Sequence, residues 1–413
     1  MRHGPSSRYG LWSAGGDEVD LVARCTAGKC RGPEPKSMKV WERMKIIKEN
    51  VSLSSISKRA VSEGDAPAET AFKQYKAFRY TKMLFLIGSA VILLFLIGIK
   101  LGIGFYPISF GDVYSTLWHH LKGDIENYSY DNVVWNQRMP RLLTAIFVGV
   151  GLSAAGAAMQ SMMKNPLADP YTTGISAGAL FGATLAMTMG ITIVGGYYGR
   201  IVNAFVFAMV PAAIILILAK WRRPTPAMMI LVGISVMYIF NAFQAFMMLT
   251  ADPNSASSVY TWSVGSIGMT TWEEVPMLAC IALLGAVALF FCTKVLNALN
   301  SGDSYAKSLG INVDRVRIVI MVLVSLIAAG TVSFTGVIGF VGLVSPHIAR
   351  IFVGSDNRIL LPASAMIGAS LMVLCDIIGY TVAGYSLQIG IITAMIGGPL
   401  FLILIVSQKK GAW

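Results

Sequence analysis

The chain has 413 residues, of which 55% are hydrophobic and 13% are charged. Soluble domains carry about 25% charged residues, so this composition excludes an ordinary soluble fold. The formal net charge is +12, and residues 1–82 hold 16 of the 33 Lys and Arg residues. No aromatic-interleaved basic patch or nucleic-acid motif accompanies this charge, so it favours contact with anionic lipid over nucleic acid.

The first 75 residues are rich in Gly, Pro, Ser and Lys and lack a sustained apolar period. Such a segment is predicted to be a basic, disordered cytoplasmic head that precedes a transmembrane domain at 76–413. Cys25 and Cys30 lie in this head without a neighbouring His, so no metal site or cofactor is predicted there. Met38 and Met44 precede a more regular stretch, and a mis-assigned start is one hypothesis for the head.

After the head, the sequence predicts about ten transmembrane helices and therefore an all-α, polytopic membrane protein. A helix needs roughly 20 apolar residues to cross ~30 Å of hydrocarbon. Length and helix-breaking residues place the spans at 83–103, 139–163, 171–190, 200–219, 227–249, 276–296, 317–335, 338–353, 361–382 and 388–407.

The distribution of positive charge predicts the orientation of these spans. With the head on the cytoplasmic side, the inside loops carry many Lys and Arg residues, whereas loops 250–275, 334–337 and 383–387 carry none. Cytoplasmic loops retain positive residues, so both termini are predicted to be cytoplasmic. Arg138 and Arg141 are the exceptions on the outside.

Two local patterns indicate tight turns and close helix packing. In the turn Asn165–Pro170, Pro166 and Pro170 end the second span because each restricts the residue before it. Gly174, Gly178 and Gly182 then recur every four residues, which places a bare strip on one helix face. Such a strip allows neighbouring backbones to touch within a bilayer.

No sequence motif supplies energy for transport. The chain has no phosphate-binding loop and no dinucleotide fingerprint, so it is predicted not to hydrolyse ATP itself. Asp376 is the one clear carboxylate within a span, and buried ionisable groups are often functional. Bonding to backbone groups freed near a helix end is the alternative role for Asp376. His119, His120 and His347 lack metal-ligand spacing.

The longest inside loop, Asn297–Arg317, has the features of a contact site for a partner protein. A short helix at Ser304–Leu309, ended by Gly310, would lie between two spans. A partner that pushes such a helix would tilt the attached spans. An ordinary surface loop is the alternative interpretation.

Four stretches in order resemble one family of permeases. They are RMPRLLTAIFVGVGLSAAGAAMQSMMKNPLADPYTTGISAGALFGA, DSYAKSLGINV, GVIGFVGLVSPHIARIFVGSDNRILLP and ITAMIGGPLFLILI. Together they resemble the FecCD/BtuC family of ABC-importer permeases over roughly residues 80–410. The resemblance implies a type II importer permease fold of ten spans that works as a dimer. It also implies two cytoplasmic ATPase subunits, an extracytoplasmic binding protein, and a metal chelate as cargo, with a ferric siderophore ahead of haem or cobalamin.

The resemblance also assigns roles to residues at matching positions. It implies that the ATPase-coupling residues are Asp303, Ala306, Leu309 and Gly310. It implies that Arg138 and Arg141 dock the binding protein; snorkelling at the membrane surface is the alternative. Motif positions are Asn165, Pro166, Asp169, Pro170, Gly174, Gly178, Pro346, His347 and Arg350. Met159, Gln160 and Met163 are candidates to face the pathway, with packing as their alternative.

Two departures and two rival functions remain open from the sequence. Tyr380 stands where many members have an outside arginine, and Gln388 interrupts the usual E-L-P-x-G pattern, so the partner's contact surface is expected to differ there. The first rival is a secondary transporter driven by an ion gradient, which would need an ion site near the midplane. The second is a non-transporting scaffold or sensor that uses the basic head.

Overall fold

The structure is a computed structural model that describes residues 68–104, 106–268, 270–383 and 387–406. The chain divides into two units, Met1–Phe78 and Arg79–Trp413, and the contacts reported below lie within the second. The predictions made for residues 1–67, including those for Cys25 and Cys30, lie outside the described residues. The boundary predicted after residue 75 stays a prediction.

Every regular element in the described ranges is helical, which confirms the all-α fold class. The helices are α1 Ala68–Gly102, α2 Phe110–Lys122, α3 Tyr128–Asp131, a π-helix Asn132–Arg138, α4 Met139–Met163, a 3-10 turn Pro170–Thr173, α5 Ile175–Met189, α6 Gly199–Leu218, α7 Pro226–Thr250, α8 Pro253–Ser263, α9 Val275–Phe291, α10 Thr293–Asn300, α11 Asp303–Ser308, α12 Val313–Thr335, α13 Val341–Val353, α14 Asn357–Ala383 and α15 Ile389–Val406.

The apolar helices match the ten predicted spans one for one. Six of them, within the described residues, are long and apolar enough to cross a membrane alone. Helices α9 and α10 together are also long and apolar enough, with a bend of 57° between them at Cys292, and they occupy the sixth predicted position. The shorter apolar helices α5, α13 and α15 occupy the third, eighth and tenth predicted positions.

Helix α4 lies at the centre of the second unit. Of its 25 residues, 20 are buried, because small residues along the helix let several neighbours approach at once. The Cα of Gly156 lies against the carbonyl of Gly342 in α13, and that of Gly149 against Gly368 and Ala369 in α14. No side chain fits at these contacts, so α4, α13 and α14 pack backbone to backbone, as is typical of membrane helices.

The glycine strip of α5 packs in the same way. Gly178 lies against the backbone of Phe207, and Gly182 lies against that of Asn203, both in α6. The Asn203 amide also donates to the Ile191 carbonyl at 2.7 Å and accepts from the Ile193 N–H at 2.8 Å. These bonds tie the connection after α5 to the first turns of α6.

Two of the helices outside the predicted spans, α2 and α8, begin at side-chain caps. Helix α2 begins at the Ser109 cap and ends at Gly123, and α8 begins at Asp252, whose carboxylate accepts from two backbone N–H groups at 3.0 Å. Helix α2 is amphipathic, with Phe110, Tyr114 and Trp118 exposed on one face. Aromatic side chains of this kind are enriched where a membrane meets water. Its mixed face explains why an apolar-length criterion does not detect it.

Candidate functional site

The predicted contact loop contains a short helix with two different faces. Helix α11 covers Asp303–Ser308, close to the predicted Ser304–Leu309, and Gly310 follows it at φ +77°. Ala306 is fully buried, in a core cluster that also contains Met163 and Val313. Tyr305 and Leu309 are 52% and 56% exposed. One face therefore anchors the helix, and the other presents an apolar surface to solvent.

Asp303 connects α11 to two of the long helices. Its carboxylate accepts from the Lys164 ammonium at 2.7 Å and from the Arg317 guanidinium at 2.8 and 2.9 Å. Burial acts to raise the pKa of Asp303, but these hydrogen bonds outweigh it and hold the pKa below its usual range. The carboxylate is thus ionised at neutral pH, and the ion pairs are lost only as the pH falls through that lowered pKa.

A second polar cluster lies where α10, α14 and α4 meet. The Asn297 amide donates to Asp356 at 2.7 Å, and its oxygen accepts from the Asn357 N–H at 2.8 Å. The Ser161 hydroxyl donates to the Asn357 side-chain oxygen at 2.7 Å. The sequence analysis did not single out this cluster, because single Asn and Ser residues on three separate helices carry no distinctive spacing.

The Asn165–Pro170 turn leads from α4 into the 3-10 turn. Asn165 accepts from the Leu167 N–H at 3.0 Å through its side chain, which closes the turn locally. The Asp169 carbonyl accepts from the Thr172 N–H at 3.0 Å, and Pro170 is buried. Gly174 then adopts φ +87° with its Cα near the Gly233 carbonyl of α7. The motif residues of this turn thus set the path between α4 and α5.

The predicted pathway residues lie inside the protein. Met159, Gln160 and Met163 are 1%, 1% and 3% exposed. Gln160 donates to the Leu343 carbonyl at 3.2 Å and accepts from Arg350 at 3.3 Å. In this structure the three side chains pack between helices, which was the alternative interpretation. A role for them in lining the pathway stays a prediction.

The motif residues predicted in the eighth span, Pro346, His347 and Arg350, lie in α13 close to Gln160. Pro346 lies inside α13 and is buried together with His347. The His347 ring meets Phe401 of α15 edge-on, with centroids 6.2 Å apart. Arg350 reaches back to Gln160, so the motif joins α13 to α4 on one side and to α15 on the other.

Arg138 and Arg141, the two residues of the docking prediction, are buried in this structure. They are 6% and 8% exposed. The Arg138 guanidinium donates to the carbonyls of Leu101 and Tyr106, each at 2.6 Å. The physical reason is local: the end of α1 and the following segment cover Arg138 and supply its acceptors. Docking of a binding protein by this pair stays a prediction.

Arg141 belongs to a buried ionic cluster around Asp376. Its Nε donates to the two carboxylate oxygens at 2.9 and 3.1 Å. The Lys100 ammonium lies 2.7 Å from the same carboxylate, and the ring of Tyr380 faces both cations at 4.0 and 4.5 Å. Lys100 and Asp376 are each 2% exposed. Asp376 therefore pairs with cations and not with freed backbone groups, and Tyr380 covers them.

The sequence analysis missed Lys100 in this cluster. Lys100 is a single cation at the end of an apolar run, a position where snorkelling to the membrane surface is the ordinary expectation. The pairing of Lys100 with a carboxylate 276 residues later leaves no local signal. Only the assembly of the first, second and ninth spans brings the three charges together.

Within the described residues, six or seven helices of membrane-spanning length and three shorter apolar helices define a multi-pass membrane protein. Residues 92–407 match the FecCD transport family. The hemin transport system permease protein of Yersinia pestis is 32% identical, over 79% of this chain and 96% of that relative. The molybdate import system permease protein of Haemophilus influenzae is 31% identical, over 80% of this chain and 97% of its own length.

A solved structure is similar over the same region. It is described as an inward-facing conformation of a metal-chelate type ABC transporter, and it matches with 29% identity and a TM-score of 0.70 over 78% of this chain and 99% of its own. The chain belongs to the FecCD transport family, which confirms the resemblance found in the sequence. It is the permease component of an ABC importer and not an enzyme, and it works with a separate ATPase and a binding protein.

Proposed function

We propose that this permease translocates a metal chelate, with a ferric siderophore as the first candidate and haem or cobalamin next. The observation that carries the proposal is the likeness to a metal-chelate type transporter along 99% of that chain. The hemin permease of Y. pestis supports the same cargo class. The molybdate permease of H. influenzae, at nearly equal identity, makes an oxyanion the second candidate.

The proposed working unit has two copies of this chain and two ATPase subunits. The binding protein delivers cargo on the side opposite α11, and ATP binding and hydrolysis on the cytoplasmic side drive the change in access. The apolar, exposed Tyr305 and Leu309 of α11 are the proposed contact with the ATPase. Both termini would then lie in the cytoplasm, which the excess of Lys and Arg in the inside loops supports.

The proposed coupling residues divide their work by position. Leu309 is exposed and would touch the ATPase, whereas Ala306 is buried and anchors the helix. Asp303 fixes the first turn to neighbouring helices, and Gly310 supplies a left-handed conformation that lets the chain turn into α12. Each of the four predicted coupling residues is thus proposed to have a distinct role.

Reconstitution tests the proposal directly. Proteoliposomes that contain the permease, its ATPase and its binding protein are expected to accumulate a radiolabelled ferric siderophore only when ATP is enclosed with the ATPase. Haem, cobalamin and molybdate serve as competing cargoes in the same assay. Uptake of molybdate alone would overturn the chelate assignment in favour of the oxyanion.

The same assay distinguishes an ABC importer from a secondary transporter driven by an ion gradient. A secondary transporter would accumulate cargo without the ATPase subunit when an ion gradient is imposed, and an ionophore would abolish that uptake. Asp376, the carboxylate predicted within a span, is already paired with two cations. This pairing favours a structural role for the group over cyclic ion binding.

A further inference from the structure

The link from α11 to the centre of the permease runs through two side chains that no motif identified. Lys164 follows the last residue of α4 and adopts φ +51°. Arg317 lies in the second turn of α12 and is 4% exposed. Both cations hold the single carboxylate of Asp303, so one side chain of α11 contacts the ends of two different spans.

The buried Ala306 holds one face of α11, while the two ends of the helix lie in open space. Gly302 and Gly310 bound the helix with φ values of +126° and +77°, and a side chain at either position would meet no neighbouring atom. Along the chain, Asp303 is 139 residues from Lys164. The ion pairs at 2.7 to 2.9 Å therefore fix where the first turn of α11 lies relative to α4 and α12.

The central position of α4 determines which helices a movement passed on by the Asp303 ion pairs would reach. Helix α4 is the most enclosed long helix of the described chain, and it packs backbone to backbone with α13 and α14. A displacement of its cytoplasmic end is felt by every helix around it, because close-packed interiors do not absorb movement. Arg317 passes the same displacement to α12, which packs beside α4.

We propose that Lys164 and Arg317 are positioning residues that transmit the movement of α11, driven by the ATPase, to α4 and α12. The proposal rests on the coupling role of α11 in the proposed function. Lys164 and Asp303 are 33% and 38% exposed at their side chains. Exposed pairs add little to stability, so loss of the Lys164 pair is expected to alter coupling and leave folding intact.

The test compares Lys164→Met, Lys164→Arg and Lys294→Met in proteoliposomes with the ATPase and the binding protein. Lys294→Met is the matched control, because Lys294 is an exposed lysine at the start of α10. Three quantities are measured: ATPase bound per permease, basal ATP hydrolysis, and cargo taken up per ATP hydrolysed.

We expect Lys164→Met to retain ATPase binding and basal hydrolysis, and to lower uptake per ATP by roughly threefold to thirtyfold, the range of measured couplings. Lys164→Arg restores uptake, because Arg keeps the charge, and Lys294→Met resembles the wild type. In an Asp303→Asn background, Lys164→Met causes no further loss, since it acts through the same carboxylate.

Three results would overturn the inference. The first is wild-type uptake per ATP in Lys164→Met, and the second is an equal additional loss in the Asp303→Asn background. The third is loss of ATPase binding in Lys164→Met, which would assign the ion pair to assembly instead of transmission. Failure of wild-type vesicles to show ATP-dependent uptake would instead overturn the proposed function itself.

Discussion

Asp376 is the shared counterion of the buried ionic cluster formed with Lys100 and Arg141. It pairs with both Lys100 and Arg141, so one negative charge is shared by two cations. Arg138 lies close enough to Lys100 to add a further positive charge, and its own bonds go to backbone carbonyls. Removing one partner of a buried ionic cluster leaves the other charges uncompensated, which is more damaging than replacing the whole cluster.

We expect Asp376→Asn to destabilise the permease by about 3–5 kcal/mol, because two buried cations lose their counterion. Lys100→Met is expected to cost less, since Asp376 keeps its bonds from Arg141. Thermal unfolding of the detergent-solubilised protein measures both. Asp252→Asn is the control: it retains a helix cap and should leave the stability almost unchanged. Equal losses of stability in Asp376→Asn and Lys100→Met would contradict the role of Asp376 as the counterion of both cations.

Gly310 allows a second prediction at the scale of a residue. Proline cannot adopt φ +77°, and it lacks the N–H that donates to the Lys307 carbonyl at 2.9 Å. Gly310→Pro is therefore expected to distort the end of α11 and to abolish ATP-driven uptake, while size-exclusion chromatography still shows a folded permease. Gly195→Pro, in an exposed outside loop, is the control and should transport normally. Undiminished uptake by Gly310→Pro would remove Gly310 from the coupling segment.

The contact between α5 and α6 shows how small residues allow two helices to associate within a bilayer, where the hydrophobic effect between helices is absent. The α5–α6 contact depends on Gly178 and Gly182, where one helix meets the other's carbonyl groups directly. Lipid tails are as apolar as a Leu side chain, so close backbone approach is the main source of helix association.

We expect Gly178→Val to force α5 away from α6 and to destabilise the protein by about 1–3 kcal/mol, as overpacking does in a filled core. Gly88→Val is a matched control because Gly88 is also helical, in α1, but has open space around it. Thermal unfolding in the same detergent compares the two. A loss in Gly88→Val as large as in Gly178→Val would indicate that helix propensity, and not packing, sets the effect.

The sequence predicted the elements better than it predicted their contacts. Span positions follow from apolar length and from breakers such as Pro166, which act locally. Helix α2 was missed because its aromatic face alternates with polar residues over only 13 residues. The inward direction of Arg141 was also missed, because it depends on Asp376, a partner 235 residues away that no local pattern identifies.

For the whole molecule, orientation is the property most open to test. The bias of Lys and Arg towards one set of loops predicts that α11 lies in the cytoplasm and α8 outside. This arrangement would leave the binding protein and the ATPase on opposite sides, as an importer requires.

Single cysteines introduced at Ser308 in α11 and at Asn254 in α8 report this orientation. In a background without native cysteines, a membrane-impermeant maleimide is expected to label Asn254→Cys in intact cells, and Ser308→Cys only after permeabilisation. Both positions are exposed, so access and not burial controls labelling. Labelling of Ser308→Cys in intact cells would reverse the orientation.

The Asp376 cluster also constrains how the chain is made. Asp376 follows Arg141 by 235 residues. Synthesis proceeds at about 5–20 residues per second, so Arg141 waits roughly 10–50 s for its counterion, and Lys100 waits longer. An unpaired cation near a span end can meanwhile reach the lipid headgroups. We therefore expect the first two helices to remain shallowly seated until the ninth is inserted, which makes the final docking of α1 a late event in biogenesis.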